Sequence, residues 1–328
     1  MSRILSRLFL LALVAVAVLL AFGFMLPAGP ESQQLVQLKP GSTARRIAAD
    51  LKQAGIIRSQ FAFLVWHYIR GHKSLKAGEY AFDHPARVVE IYGRIARGDV
   101  HFYTVVVPEG FNVFDIAKAL ETSGLGKSDE FLQLAMKDTA LVHDLDPQAP
   151  SLEGYLFPDT YHFTRTQSAH DIAAAMVHRF RQTARDIGLN NDVHNQVTMA
   201  SLVEKETAVA DERPVVAGVF NNRLAKKMAL ATDPAVVYAA LLNHRYRGTI
   251  YQSDLQFDSP YNTYKTPGLP PGPICNPGRQ ALLAAMHPAA TEYLYFVSNN
   301  QGHHRFARTG REHEINVAAY RRSVARNP

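Results

Sequence analysis

An uncharged, mainly apolar run near the N-terminus constrains this chain more than any other feature. It extends from Leu8 to Leu26, follows Arg3 and Arg7, and no lysine or arginine comes after it until Lys39. A helix of this length spans about the 30 Å hydrocarbon core of a bilayer, and arginines before the span predict a cytoplasmic N-terminus. The run therefore predicts a single-pass anchor with the body of the chain outside the cytoplasm. A cleaved signal peptide is the alternative, because small residues follow at Pro27–Gly29.

A pattern that occurs twice, 69 residues apart, organises the next segment. The corresponding residues are Gly41, Ile47, Ala48, Leu51 and Gly55 in the first copy and Gly110, Ile116, Ala117, Leu120 and Gly124 in the second. Each copy predicts a strand, a glycine turn and a short amphipathic helix closed by a second glycine. Between the copies, "LKAGEYAF" predicts a strand and "VVEIYGRIARG" a helix that ends at Gly98. Such βαα units resemble LysM modules, and a purely structural α+β spacer is equally compatible with the pattern.

Composition shifts divide the chain into three parts and predict an α+β fold. A run rich in Asp and Pro at 143–151 marks a boundary. We expect a cytoplasmic N-terminus and transmembrane anchor over 1–30, a LysM-like region over 31–148 and a catalytic domain over 149–328. The catalytic domain is predicted to hold helices over 169–187 and 212–224, a buried strand at 292–298 and a proline-rich irregular loop over 256–278. Irregular loops of that length inside a compact domain are usually functional.

One helix of this domain contains an acid where an apolar residue belongs. In "TMASLVEKETAV" (198–209), Met199, Leu202, Val203 and Glu206 fall on one helical face, whereas Glu204 points to the opposite side. Burial against apolar neighbours raises the pKa of a carboxyl group, as general-acid catalysis near neutral pH requires. The alternative is a purely structural ion pair between Glu206 and a nearby arginine, either Arg213 or Arg223.

Three further stretches supply candidate sugar-binding groups. "YNTY" offers aromatic faces and hydrogen-bonding groups, which suit the apolar patches and hydroxyls of a sugar ring. "LATDPAVVY" predicts a helix start at which Asp233 acts as a cap, and "LEGYLFPDTY" fits a folded loop or a cleft equally well. The candidate substrate-binding residues are Tyr261, Asn262, Thr263, Tyr264, Thr232, Asp233 and Glu153.

Other chemistries have little support in the sequence. There is no phosphate-binding Gly-Lys-Ser/Thr loop, no Gly-x-Ser-x-Gly elbow and no H-E-x-x-H zinc motif, although His303, His304 and His313 cluster. Cys275 is the single cysteine, so no internal disulfide is possible. The excess of Lys and Arg over Asp and Glu, 35 against 29, suits an anionic partner, but no aromatic platform accompanies the basic C-terminal tail. We expect no metal, no cofactor and no nucleic-acid partner.

The segments "MASLVEKETAV", "VFNNRL", "ATDPAVVY", "YNTY", "GLPPGPICNPG" and "HPAATEYLYFV" together resemble one family, the membrane-anchored endolytic murein transglycosylases (YceG-like). The resemblance runs in family order from the anchor to the C-terminus. It implies a single-pass protein of the bacterial inner membrane with a LysM-like region and a periplasmic catalytic domain with a lysozyme-like glutamate helix. The domain would cut nascent peptidoglycan glycan strands beside the peptidoglycan synthases of elongation or division. The family's catalytic glutamate matches Glu206, and the same matching puts 261–264, Thr232 and Asp233 in the cleft.

The resemblance also implies a mechanism, and two alternatives stay open. A lytic transglycosylase needs one carboxyl group, acting first as acid and then as base, to form a 1,6-anhydro product. A hydrolytic muramidase would need a second carboxylate across the cleft, such as Asp211, Asp233 or Asp258. A non-catalytic wall-binding scaffold would need neither.

Overall fold

The structure, a computed structural model, describes residues 2–326 and is a mixed helical and sheet fold. The chain forms two compact units. The first unit comprises the residues up to Tyr103 together with His162–Thr166, and the second comprises Thr104–Tyr161 together with the residues from Gln167 onward.

The first unit is built on a βααβ arrangement behind a long N-terminal helix. Its elements are α1 (Ser2–Met25), β1 (Gln34–Leu38), α2 (Ala44–Gln53), α3 (Gln60–Ile69), β2 (Gly78–Phe82) and α4 (Val88–Arg97). β1 and β2 pair antiparallel, with Gln34 opposite Phe82 and Leu38 opposite Gly78. Over Arg7–Met25, α1 is long and apolar enough to cross a membrane by length and composition.

Short-range signals fix these elements, and one core joins them. Thr43 caps α2 by accepting a hydrogen bond from the backbone N–H of Arg46. Gly98 ends α4 in the left-handed conformation, at φ 84°, as its place in the sequence predicted. The core is formed by apolar side chains from both strands and from α2, α3 and α4, among them Leu38, Leu51, Phe63, Tyr80, Phe82, Ile91 and Ile95.

The second unit is mainly helical. The remaining elements are β3 (Tyr103–Val106), α5 (Val113–Thr122), α6 (Ser128–Lys137), β4 (Thr160–Phe163), α7 (Ala169–Ile187), α8 (Val193–Glu206), a 3₁₀ turn (Ala210–Glu212), α9 (Arg213–Ala225), α10 (Asp233–Leu242), α11 (Gln252–Leu255), α12 (Arg279–Met286), β5 (Tyr295–Ser298), β6 (His304–Ala307) and α13 (Gly310–Arg326). The division between the units falls within β3 and β4, which pair with each other. β5 and β6 form an antiparallel hairpin.

The predicted internal repeat is confirmed at the level of local structure. β1 leads to α2 through a turn at Gly41 (φ 74°), and β3 leads to α5 through a turn at Gly110 (φ 79°). Asn112 caps α5 in a capping box with Asp115. The two copies belong to different units, because the second copy from Thr104 onward is part of the second unit, where α5 packs against α6.

Helix α8 lies at the centre of the second unit, where it packs against α9, α10 and α12. It was predicted to have one apolar face, but the structure buries every residue over 197–203, including Thr198 and Ser201, while Asn195 and Lys205 near its ends are exposed. The Ser201 hydroxyl fits the interior because it donates to the Thr198 carbonyl at 2.7 Å, whereas the buried Thr198 hydroxyl has no hydrogen-bond partner among the described residues. The strand β5 was predicted to be buried, yet its residues are half-buried, since only a two-stranded hairpin is present there.

Candidate active site

Glu206 is the last residue of α8. The next residue, Thr207, leaves the helix with an extended backbone, φ −145° and ψ 131°. Among the described residues, none donates a hydrogen bond to the half-buried Glu206 side chain or forms an ion pair with it. Burial, and next the negative charge of Asp233, raise the pKa of Glu206 to about 7, although Arg223 acts in the opposite direction. The group is therefore a carboxyl poised to give up or take a proton near neutral pH.

The nearby arginines have other partners. Arg213 Nη2 lies 3.1 Å from Glu204 Oε1, and the backbone N–H of Gly278 donates to Glu204 Oε2 at 2.9 Å. Arg223 donates to the backbone carbonyls of Leu230 and Leu294, each at 2.7 Å. The interpretation of Glu206 as one half of a structural ion pair is thus wrong, and the ion-paired glutamate of this helix is Glu204. The Glu204 side chain is 6% exposed, whereas Glu206 is half-buried, and Lys205 between them is exposed.

Asp233 and Tyr264 form the polar edge of the site. The Tyr264 hydroxyl donates to Asp233 Oδ1 at 2.6 Å, and the tyrosine is 40% exposed. Asp233 opens α10, but the N-cap is Thr232 and no side chain caps the helix. The capping role predicted for Asp233 is therefore wrong: its carboxylate instead bonds Tyr264 and acts on the charge of Glu206. A ligand that reaches Glu206 from this side can therefore contact the exposed Tyr264.

The other residues of the tyrosine loop hold it in shape. Asn262 is fully buried and donates through Nδ2 to the carbonyls of Leu255 and Phe257 at 3.0 and 2.7 Å. Thr263 is also buried, and its hydroxyl accepts from the backbone N–H of Thr232 at 3.0 Å. The ring of Tyr261 packs edge-on against Tyr238, with centroids 5.2 Å apart. These contacts fix where the loop presents Tyr264.

Glu153 belongs to a separate, closed cluster. Its Oε2 accepts from the backbone N–H of Val113 at 3.0 Å, and its Oε1 accepts from Asn276 Nδ2 at 2.8 Å. Burial raises the pKa of Glu153 to about 8, although the hydrogen bond from Val113 acts against the rise. Asn276 also accepts from the backbone N–H groups of Gly154 and Leu156. The cluster ties the second repeat copy to the proline-rich loop.

A further acid, which sequence reasoning missed, supports the residue after Glu206. Glu212 accepts hydrogen bonds from His304 Nδ1 at 2.6 Å, from the His304 backbone N–H at 2.9 Å and from the Thr207 hydroxyl at 3.3 Å. His303 Nδ1 lies 3.1 Å from Glu212 Oε1, the oxygen that also accepts from the His304 backbone N–H. Burial alone would raise the pKa of Glu212, but the hydrogen bonds from His304 outweigh it and hold the pKa below its usual value. Glu212 and the two histidines are about 90 residues apart in the sequence, so no local sequence pattern predicts this cluster.

The remaining candidates lie outside these contacts. Asp258 is 95% exposed at its side chain and lies 3.9 Å from Lys265 Nζ. Asp211 is exposed in the 3₁₀ turn, and Cys275 is buried. In the part of the chain that the structure describes, no three His, Cys, Asp or Glu side chains come together as metal ligands. The site is an arrangement of carboxyl groups with one exposed tyrosine.

Comparison with known proteins places the chain in a family. A profile of the YceG-like family matches residues 36–319, and the chain belongs to that family. It is similar to the endolytic murein transglycosylase of Bacillus subtilis strain 168, at 34% identity over 85% of this chain and 82% of the relative. It is also similar to the endolytic murein transglycosylase of Streptococcus pneumoniae strain D39, at 27% identity over 90% of this chain and 60% of the relative. A crystal structure of a YceG-like protein from Listeria monocytogenes covers 87% of this chain and 99% of its own, with 31% identity and a TM-score of 0.56.

Proposed function

We propose that this chain is a lytic transglycosylase that cleaves peptidoglycan glycan strands internally, with Glu206 as its acid and base. The names of the relatives support a peptidoglycan transglycosylase. The observation that carries the assignment of Glu206 is its isolation: a half-buried carboxyl group that forms no ion pair among the described residues and whose pKa is raised to about 7. Such a group is protonated often enough at neutral pH to serve as a general acid.

The reaction follows from one carboxyl group used twice. Glu206 protonates the oxygen that links N-acetylmuramic acid to N-acetylglucosamine, and the β-1,4 bond breaks. The resulting carboxylate then takes the proton from the C6 hydroxyl of the muramic acid, whose oxygen closes on C1. The products are a 1,6-anhydro end and a free N-acetylglucosamine end, without consumption of water. Glu206 leaves the cycle protonated, as it began.

The neighbours of Glu206 have distinct proposed roles. The carboxylate of Asp233 keeps the pKa of Glu206 high and holds the hydroxyl of Tyr264. The exposed ring of Tyr264 offers a face for a sugar. We assign Tyr261, Asn262, Thr263 and Thr232 to shaping the cleft, and Glu153 to bracing the loop behind it, because their side chains bond or pack within the protein.

A hydrolytic muramidase is the second candidate, and one observation favours it. It requires a partner carboxylate, and among Asp211, Asp233 and Asp258 only Asp233 acts on the charge of Glu206. Asp233 Oδ1, however, already accepts a hydrogen bond from the Tyr264 hydroxyl at 2.6 Å, so this oxygen is engaged within the protein and is not free to activate a water. The lyase is therefore the better-supported function.

Product analysis separates these functions. Uncrosslinked glycan is digested with the wild-type chain and with the Glu206→Gln, Asp233→Asn and Asp258→Asn variants, and the ends are identified by mass spectrometry. We expect anhydro ends from the wild type, none from Glu206→Gln, and wild-type yield from the matched control Asp258→Asn. Reducing ends in place of anhydro ends would identify a hydrolase. Cleavage by Glu206→Gln at the wild-type rate would remove Glu206 from the mechanism.

The proposed setting is the bacterial inner membrane. We propose that α1 is a single-pass anchor within 1–30, that the N-terminus is cytoplasmic, and that the rest of the chain is periplasmic. The βααβ arrangement of the first unit supports a LysM-like, wall-binding role within 31–148, ahead of the catalytic region 149–328. Nascent glycan strands and the peptidoglycan synthases that make them are the proposed partners, and no nucleic acid is involved. Cleavage there would end strand elongation.

A further inference from the structure

Helix α3 is apolar on the side that faces away from its core. Phe61, Val65 and Tyr68 lie at i, i+4 and i+7 on this side, and Leu64, at i+3, lies at its edge, where it is half-buried and also packs against the core. Phe61 is 60% exposed and Tyr68 is 72% exposed. A surface helix ordinarily turns polar residues outward, and a contiguous exposed apolar patch marks an interaction surface.

This outward face is one wall of a groove, and the start of α2 is the other wall. The groove has a volume of about 810 Å³ and is lined by Thr43, Ala44, Arg45, Phe61, Leu64, Val65, His67, Tyr68 and His72. Ile69, at the end of α3, is 61% exposed and adds to the apolar surface. Most of the surface therefore offers hydrocarbon rather than hydrogen bonds.

The same helix packs against the last turn of α1. At Gly23 the two backbones approach so closely that an added Cβ would lie 2.9 Å from Ala62 Cβ. Phe24 meets Trp66 edge-on, with ring centroids 6.0 Å apart. Arg58 lies over the ring of Phe22 at 5.6 Å. These contacts fix α3 to the end of α1.

The rest of α1 extends away from the core of the first unit. Its described side chains from Arg7 to Phe22 are exposed, and the chain after it is held to the unit by the backbone bridge between Ala28 and Ala86. Residues 22–24 lie within about one turn of the end of the apolar span at Met25. If the span crosses a bilayer, α3 lies at the depth where hydrocarbon gives way to headgroups.

The residues around α3 have the composition of that interface. Trp66 and Tyr68 are amphipathic aromatics, and Arg70 lies over the Trp66 ring at 5.9 Å. Arg70 and Lys73 directly follow the helix and are exposed. Aromatic rings favour the headgroup level, and cations there attract anionic lipids while their aliphatic stems cover apolar surface.

We propose that the outward face of α3 docks on the outer surface of the membrane that α1 spans, with Phe61, Tyr68 and Ile69 in the lipid interface. This inference rests on the membrane anchor proposed above. Docking would fix the distance and the orientation of the first unit relative to the membrane, in contrast to a domain that is joined to its anchor by a flexible linker. A glycan strand is the less favoured occupant, because the groove walls are mainly hydrocarbon.

The test measures how deep single residues lie in the bilayer. The full-length chain is placed in vesicles of phosphatidylethanolamine and phosphatidylglycerol, and nitroxide labels are attached to cysteines introduced by Phe61→Cys, Tyr68→Cys, Val16→Cys or Gln37→Cys. The native Cys275 is buried. The wild-type chain, treated with the same nitroxide reagent, checks that Cys275 does not react. Accessibility to oxygen reports lipid, and accessibility to a water-soluble nickel chelate reports water.

Gln37 is the matched control in the same unit. It is exposed on β1, where Val36 and Leu38 on either side of it point into the core shared with α2 and α3. Because strand side chains alternate between faces, Gln37 points away from those helices. We expect oxygen to dominate at 16, 61 and 68 and the nickel chelate to dominate at 37. Adding Phe61→Asp to the Tyr68→Cys chain is expected to shift the label at 68 towards water.

Each other outcome overturns the proposal in a different way. A label at position 16 that is accessible to oxygen, with labels at 61 and 68 accessible to the nickel chelate, would leave the anchor intact and refute the docking. Shielding of 61 and 68 from both reagents would mean that protein covers this face, such as a second copy of the chain. Shielding that appears only after glycan strands are added would identify the groove as a sugar site. Water at 16 would refute the anchor itself, and the docking with it.

Discussion

Replacing Glu206 by glutamine is expected to stabilise the chain at alkaline pH while it abolishes the proposed chemistry. The pKa of Glu206 is raised from 4.5 to about 7, so the folded chain binds this proton more tightly than the unfolded chain does. Between those pH values the folded state holds more protons, and the free energy of unfolding therefore falls as the pH rises. This contribution is fully present below about pH 4.5 and is lost above about pH 7.

The size of the effect follows from the shift. One pKa unit corresponds to about 1.36 kcal/mol, so the ionised carboxylate costs the folded state about 3 kcal/mol at pH 8. Glutamine has nearly the same volume and carries no charge, so the variant escapes that cost. For a unit of this size, about 3 kcal/mol corresponds to an increase in the midpoint of thermal unfolding of roughly 6–12 °C.

The assay is thermal unfolding of the full-length wild-type and Glu206→Gln chains across pH 4.5 to 8. We expect the two midpoints to converge at the acid end and to separate at pH 8, with the variant more stable. Equal midpoints at every pH, or a less stable variant at pH 8, would show that the Glu206 carboxyl group is well solvated. In that case its assignment as the acid would lose its physical basis.

Three further substitutions test the surroundings of this carboxyl group. Glu204→Gln, two residues away, should destabilise the chain in the same unfolding assay by roughly 3 kcal/mol, because it leaves the buried Arg213 without its close charge partner; a midpoint equal to the wild type would contradict the ion pair. The wild type should lose activity as the pH rises through about 7, when Glu206 ionises. Asp233→Asn removes a negative charge that raises the pKa of Glu206, so this loss should occur at a lower pH. An unchanged pH profile would show that the two groups do not interact. Glu212→Gln should lower kcat more than it raises KM, because the hydrogen bonds that hold the strand histidines and the residue after Glu206 are weakened; unchanged kinetics on defined glycan would confine Glu212 to a structural role.

The site keeps a carboxyl group where it is least stable when charged. An apolar residue at position 206 would remove the cost of that charge, and so would an arginine in contact with it. Instead, Arg213 pairs with Glu204, and Arg223 donates to backbone carbonyls. Burial raises the pKa of both glutamates, but at Glu204 the charge of Arg213 and the hydrogen bond from Gly278 oppose the rise at close range. At Glu206 no such close partner is present among the described residues, and the same desolvation that destabilises the carboxylate makes it retain a proton.

Local patterns in the sequence determined the long apolar helix, the two strand–turn–helix copies, helix α7 at 169–187 and the irregular loop at 256–278. These features depend on neighbours a few residues away: the glycines at 41 and 110 permit the turns, and helical spacing alone sets Glu206 among apolar residues. The same spacing placed Glu204 on the opposite face but could not tell that this face is also buried.

Only the tertiary structure decided which acid is paired and which is isolated. Arg213 could reach either glutamate as far as sequence distance is concerned, and the packing of α9 against α8 brings it to Glu204. The bond from Tyr264 to Asp233 and the bonds of His303 and His304 to Glu212 join segments about 30 and 90 residues apart. A pKa is set by the charges and solvent within a few ångströms, and those neighbours come together only when distant segments of the chain pack.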